Sequence, residues 1–279
     1  MGKVSQRVVH DFLRHDKKFP HVWCSGCSNG TILGTIIRAI AEQNLDRNNI
    51  TMVSGIGCSS RMPVYIDLNT LHSLHGRAIA FATGIKTFKP DMKVIVVTGD
   101  GDSTAIGGNH LIHAARRNID MTVIVVNNNI YGMTGGQYSP TTPDDAKATT
   151  SPYGNFDRQF DICDLVIGAG ATYVARSSAF HTMELQKMIV DAMNHKGFSI
   201  IDVISACPVI YGRMNKKGGP PEMMQAMRDN TVLNTAAAKL PPEKLEGKTI
   251  RGVFKNVQCP EYCEQYAKVV EKIKETSDE

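Results

Sequence analysis

Two apolar runs of the sequence end in polar residues of a kind that bind metal. KVIVVT (93–98) is followed by Gly99, Asp100 and Gly101, and MTVIVV (121–126) by Asn127, Asn128 and Asn129. Such runs read as buried strands, and in a parallel sheet their C-terminal ends share the edge where α/β folds bind ligands. Asp100 and Asn128 thereby come to one edge. A carboxylate oxygen, an amide oxygen and a turn carbonyl at Ile130 are hard ligands that suit Mg²⁺, with phosphate oxygens and water completing the octahedron. The glycines around Asp100 let backbone approach an anion, and the N-terminus of a following helix adds a favourable field. The chemistry this pattern supports is one divalent cation pinned against the phosphates of a cofactor. The competing reading, two capped turns, leaves unexplained why a third polar residue, Asn129, follows a buried strand. No G-x-G-x-x-G opens a helix after a strand, which argues against a nicotinamide or flavin site.

The thiols form a second group. Cysteines stand at positions 24, 27, 58, 163, 207, 259 and 263, an odd number that reads poorly as a disulfide framework and better as metal ligands plus spares in a reducing compartment. Cys24 and Cys27 make a C-x₂-C pair, which by itself is compatible with redox chemistry, zinc binding or no function. Cys58 (GIGCSSRMP) and Cys207 (SACPVIYG) each follow an expected strand, on the edge that carries Gly99 to Gly101. Four thiolates are thus expected near the cofactor. Cys207 followed by Pro208 is similar to the Cys-Pro that closes many cluster-binding sequences. Cys163, inside DICDLVIG, reads as core, and Cys259 and Cys263 as local structure or surface thiols, with a second metal-ligand pair as the alternative.

The elements that must position these groups alternate between strand and helix. Residues 28–45 place Ile32, Leu33, Ile36, Ile37 and Ile40 on one helical face. A strand at 51–57, a small-residue helix at 75–88, a strand at 93–98, a helix at 107–118 and a strand at 121–126 follow. After an irregular stretch at 129–157 come a strand at 172–176, a helix at 180–195 and a strand at 199–205. The pattern predicts an α/β fold, a mostly parallel open sheet with helices on both faces. Residues 1–235 are expected to form the cofactor domain, and 236–279 a peripheral arm or cover.

Composition narrows the function. The chain has 279 residues, a formal net charge of +4 and no Lys/Arg block longer than two, which gives no footing for nucleic acid. No window has the apolar length of a membrane span, and the N-terminal stretch lacks the apolar core of a secretion signal. The cytoplasm is the expected compartment.

The strings WCSGCSNG, GIGCSSRMP, LHSLHGRA, FATGIK, GDGDSTAIGGNH, VVNNNIYGMTGGQYSPTT and the late ACP, in this order over roughly residues 15–235, resemble the β subunits of 2-oxoacid:ferredoxin oxidoreductases, most of all the 2-oxoglutarate type. The resemblance implies a thiamin diphosphate-binding fold in which Asp100, Asn128 and the Ile130 carbonyl hold Mg²⁺. It implies that Cys24, Cys27, Cys58 and Cys207 hold one [4Fe-4S] cluster. A separate α subunit would cover the site and bring the coenzyme A site, and ferredoxin would take the electrons. The implied reaction is coenzyme A-dependent oxidative decarboxylation of 2-oxoglutarate to succinyl-CoA and CO₂.

Cys58, His75, Gly99, Asp100, Gly101, Asp102, Asn128, Ile130 and Thr134 are the expected cofactor contacts. His75 is assigned to the site by resemblance, with helix capping as the alternative. Arg61 is a candidate clamp for a substrate carboxylate, since a guanidinium matches a carboxylate bidentately, with a surface ion pair as the alternative. The segment from Thr134 to Gln137 fits closure over the diphosphate or a subunit contact equally well, and Asp102 and Asn109 fit supporting or capping roles. Rival readings are the same chemistry on pyruvate or a branched-chain 2-oxoacid, a non-redox thiamin diphosphate decarboxylase with structural zinc, and a non-catalytic scaffold subunit.

Overall fold

The computed structural model describes residues 6–16 and 19–277; residues 1–5, within the stretch read for a secretion signal, lie outside the described residues. Helices α1 (Gln6–Asp11) and α2 (Asn29–Glu42) precede β1 (Ile50–Ser54), α3 (Met62–Tyr65), β2 (Asn69–His72), α4 (Ala78–Phe88) and β3 (Lys93–Gly99). Then come α5 (Gly108–Arg117), β4 (Met121–Asn127), α6 (Ile162–Gly168), β5 (Tyr173–Ser178), α7 (Thr182–Asn194) and β6 (Phe198–Ile204). The chain closes with α8 (Pro220–Asp229), β7 (Thr231–Leu233), α9 (Asn234–Ala237), β8 (Thr249–Asn256) and α10 (Tyr262–Ser277).

The strands form one sheet in the order β2-β1-β3-β4-β6-β5-β8-β7. From β2 to β5 every pairing is parallel; β8 runs antiparallel to β5. The central strands are apolar on both faces because helices cover both. Ile95, Val97, Ile124, Val126 and Ile201 pack on the side of α2 and α7, while Val94, Val96, Val123, Val125 and Ile200 pack on the side of α4, α5 and α6. The alternation is the period-two geometry of a strand, here filled by hydrophobes in both phases.

Three features lay outside the sequence pattern. β2 (NTLH) is a short edge strand with almost no apolar signal. A π-helical turn, Asp102–Ile106, separates the glycines around Asp100 from α5. β8 extends the sheet from within the segment expected to be an arm, and the Asn118 side chain ties that segment down by donating to the Cys259 and Pro260 carbonyls at 3.2 and 3.1 Å. Sequence missed β8 because it alternates weakly and is largely half-exposed.

The irregular stretch after β4 is held by polar bonds. The Asn155 amide donates to the Thr142 and Asp157 carbonyls, and Asp161 at its end accepts from Arg176 Nη2 at 2.7 Å. Arg176, on β5, also donates through Nε to Asp202 of β6 at 2.8 Å, and both of these side chains are buried. Removing one partner of such a buried pair strands the other charge. Arg176→Met should therefore lower the free energy of urea unfolding by about 3–5 kcal/mol, and Arg176→Met with Asp202→Leu should recover most of it.

Candidate active site

Asp100 directly follows β3 and is 2% exposed. Its Oδ2 accepts from Ser139 Oγ at 2.5 Å and Thr141 Oγ1 at 2.7 Å, and its Oδ1 from the Asn128 backbone N–H at 3.4 Å. Burial pushes its pKa up in spite of these three donors. No cationic side chain pairs with Asp100 among the described residues. Asn128, just past β4, is buried beside it, its Oδ1 accepting from the Ile130 N–H at 3.3 Å, and Asn129 turns the chain with φ 62°. The donor set of one carboxylate, one amide oxygen and adjoining turn carbonyls fits a hard divalent cation, which would neutralise the buried charge.

Asp102 gathers the other side of the site. Its Oδ1 accepts from His75 Nδ1 at 2.6 Å, the Gly76 N–H at 2.7 Å and the Ile56 N–H at 3.2 Å, and its Oδ2 from Thr98 Oγ1 at 2.7 Å. One buried carboxylate thus joins the end of β1, the approach to α4 and the end of β3. A Cβ at Gly55 would lie 2.1 Å from Asp102 Oδ2, so only glycine fits there. Nδ1–H of His75 is committed to Asp102, which fixes the ring and leaves Nε2 as its remaining polar atom. Tyr131 stands edge-on to His75 at 5.9 Å between centroids and donates to the Gly101 carbonyl at 2.9 Å; burial pushes its phenol up to about 12.

These groups line a cavity of about 160 Å³ together with Ile56, Gly57, Cys58, Ser59, Gly132, Met133 and Thr134. A second cavity of about 260 Å³ adjoins it, lined by Cys24, Cys27, Cys58 and Cys207 with Trp23, Pro208 and Ile210. Cys58, Asn128, Gly132 and Met133 belong to both walls. A Cβ at Gly132 would stand 3.4 Å from Cys207 Sγ and 3.8 Å from Cys58 Sγ, so its lack of a side chain keeps the partition thin. Burial, then the neighbouring thiols, push Cys58 up to about 11, and burial raises Cys27 as well. Unliganded, these thiols hold their protons at neutral pH; binding a metal centre would release them. The four surround a space: among the described residues no three His, Cys, Asp or Glu side chains crowd to the spacing of a single ion.

Residues 55–203 match the family model described as "Thiamine pyrophosphate enzyme, C-terminal TPP binding domain". The chain is 49% identical over 263 residues to the 2-oxoglutarate synthase subunit KorB of Methanocaldococcus jannaschii, covering 94% of this chain and 97% of that one. It is 39% identical to the 2-oxoacid:ferredoxin oxidoreductase subunit beta of Saccharolobus solfataricus, covering 85% and 77%. Among solved structures, the 2-oxoglutarate:ferredoxin oxidoreductase from Magnetococcus marinus, with 2-oxoglutarate, coenzyme A and succinyl-CoA bound, superposes with a TM-score of 0.85 at 34% identity over 97% of this chain and 92% of that one. The chain belongs to the 2-oxoacid:ferredoxin oxidoreductase β subunits, of the 2-oxoglutarate type.

Most of the residues singled out in the sequence of this β subunit meet at the two cavities. Gly99, Asp100, Gly101, Asp102, Asn128, Ile130, His75 and Thr134 line the first, and the four expected cysteines line the second. Arg61 is half-buried on the turn after Cys58, where its charge only partly opposes the rise that burial gives that thiol, and it is not among the lining residues of either cavity. His72 accepts or donates at Ser54 Oγ, 2.9 Å away, and Asn109 is exposed on α5. Cys163 is buried in the core, Cys263 is buried under the Lys86 carbonyl and Cys259 is exposed. Sequence reasoning missed Ser139 and Thr141, whose hydroxyls hold Asp100, and Asn29, which donates to Cys27 Sγ at 3.2 Å. Two hydroxyl residues in a long irregular stretch carry no periodic signal; only the fold-back of that stretch reveals them.

Asp100→Asn keeps the shape and removes the buried charge. The variant's melting temperature without ligand should stay equal or rise, because a desolvated carboxylate is gone. With saturating thiamin diphosphate and Mg²⁺ the parent should gain roughly 5–10 °C and the variant nothing, since binding at 100 times Kd is worth about 2.7 kcal/mol. Protons compete with the cation at a carboxylate whose pKa is raised. The parent's Mg²⁺ affinity should accordingly fall on acidification at a higher pH than an ordinary aspartate would set, as followed by Mg²⁺ titration.

Proposed function

We propose that this chain is the catalytic β subunit of a 2-oxoglutarate:ferredoxin oxidoreductase, which converts 2-oxoglutarate and coenzyme A to succinyl-CoA and CO₂. The observation that carries this reading is the shared wall: a carboxylate-amide site and a four-cysteine cavity stand back to back. Asp100, Asn128 and the Ile130 carbonyl are the residues to hold Mg²⁺ against a diphosphate, and Cys24, Cys27, Cys58 and Cys207 those to hold a [4Fe-4S] cluster. Bound there, thiamin diphosphate would supply an electron sink for decarboxylation and a cluster would supply one-electron chemistry. The chain's own part is to seat the diphosphate at the glycines around Asp100, to present His75 Nε2 to the cavity and to keep water out with Tyr131, Ile130 and Met133. Four cysteines lining one cavity, one of them followed by Pro208, support the cluster reading.

Partners follow from the same reading: an α subunit that covers the open edge of the sheet and brings coenzyme A, and ferredoxin as electron acceptor. No helix among the described residues is long and apolar enough to cross a membrane, and the reading places the enzyme in the reducing cytoplasm. Preference for 2-oxoglutarate rests on the names of the relatives and on the ligands bound in the Magnetococcus marinus enzyme. Arg61 lies outside both cavity linings, three residues from Cys58, and is proposed as the clamp for a distal carboxylate that reaches past the cavity wall.

Anaerobically purified enzyme should hold about four iron and four acid-labile sulfide atoms per β chain, and 2-oxoglutarate should reduce ferredoxin faster than pyruvate does. Zinc without sulfide, or faster reduction by pyruvate, would overturn the respective parts. Arg61→Met should raise the KM for 2-oxoglutarate roughly 10- to 100-fold, the worth of a hydrogen-bonded ion pair, and leave that for pyruvate unchanged. An equal effect on both substrates rejects the clamp.

A further inference from the structure

Asn29 is the first residue of α2 and has no solvent exposure. Its Nδ2 lies 3.2 Å from Cys27 Sγ, while its Oδ1 has no partner among the described residues. A buried amide with one end unpaired opposes folding, so a structural role alone accounts poorly for it. Capping does not account for it either. The amide turns back to the sulfur, and the preceding Ser28, instead of capping α2, accepts through Oγ from the Ala206 N–H at 3.0 Å. That bond roots the start of α2 beside Cys207, so Asn29 is held against one cysteine by a tie to the neighbour of another.

We propose that the Asn29 carboxamide is a positioning residue that tunes the electron-accepting centre, donating its N–H to Cys27 Sγ and so raising the centre's reduction potential. The inference rests on the cluster reading given above. Reduction adds one electron, and its charge spreads onto the ligating sulfurs. A donor aimed at one sulfur stabilises that more negative state over the oxidised one, and hydrogen bonds to sulfur are among the factors that set such potentials. The positive N-terminus of α2 acts in the same sense, but it persists when the side chain is changed.

The test is a redox titration of the assembled, anaerobically purified enzyme followed by electron paramagnetic resonance. Asn29→Leu has a similar size and removes both the donor and the unpaired oxygen, so the fold and the iron and sulfide content should be kept. Its one-electron reduction should be disfavoured roughly tenfold, a potential about 59 mV lower, and Asn29→Asp, which cannot donate when ionised and adds a charge, should fall at least as far. In parent enzyme labelled with ¹⁵N in the asparagine side chains, the reduced centre should show a hyperfine-coupled amide nitrogen. A fully loaded Asn29→Leu enzyme with the parent's potential overturns the proposal. Asn128 also lines the cavity, so the coupling must vanish in Asn29→Gln labelled the same way; its persistence there, or its absence in the parent, overturns the proposal even should both other variants lose the centre. Parent enzyme without iron and sulfide overturns the cluster reading itself, and this inference with it.

Discussion

A carboxylate sealed from water at the end of β3, with no cationic side chain paired to it among the described residues, is the constraint around which the site is arranged. Burying such a charge is costly, and two hydroxyls and one backbone N–H offset only part of that cost. The hydroxyls come from Ser139 and Thr141, so the long segment after β4 must fold back over the sheet edge. Asn155 holds that segment from within, and the bridge from Arg176 to Asp161 and Asp202 pins its end. The long irregular stretch is thereby as much a part of the site as the strands are.

Asp102 solves a different problem two residues later. Three backbone or side-chain N–H groups and one hydroxyl converge on it, and they arrive from the end of β1, the start of α4 and β3. The carboxylate is fully satisfied, in contrast to Asp100, and its effect is geometric: His75 is held in one orientation. Two aspartates in one short motif therefore differ, one buried with only three donors and one spent on joining three elements of the scaffold.

The same division recurs on the thiol side. Gly132, Cys58 and Asn128 make a partition that both cavities share. Trp23 donates its indole N–H to the Cys58 carbonyl at 2.6 Å and packs on Tyr65, which fixes the backbone that carries the thiol. Cys24 is exposed while Cys27, Cys58 and Cys207 are half-buried, so one corner of the thiol ring faces outward. The cavity these cysteines line thus adjoins the Asp100 cavity on one flank and the surface on the other.

The sequence by itself determined the alternation of strand and helix, the central strands and which motif residues come to one sheet edge. Apolar runs that stop on Asp100 and Asn128 and cysteines placed at strand ends are local signals, and parallel sheet geometry carries all of them to one edge. The edge strand β2, the half-exposed strand β8 and the π-helical turn after Gly101 were not legible, because half-exposed pairing or a slipped helical turn leaves little trace in apolar periodicity. Only the tertiary structure decided which hydroxyls reach Asp100, that Asp102 holds His75, that Asn29 faces Cys27, and that Arg61 stands outside the cavity linings. Those relations join residues of different elements through single directional hydrogen bonds or short approaches. Such contacts depend on where the segments come to rest, and no spacing along the chain encodes them.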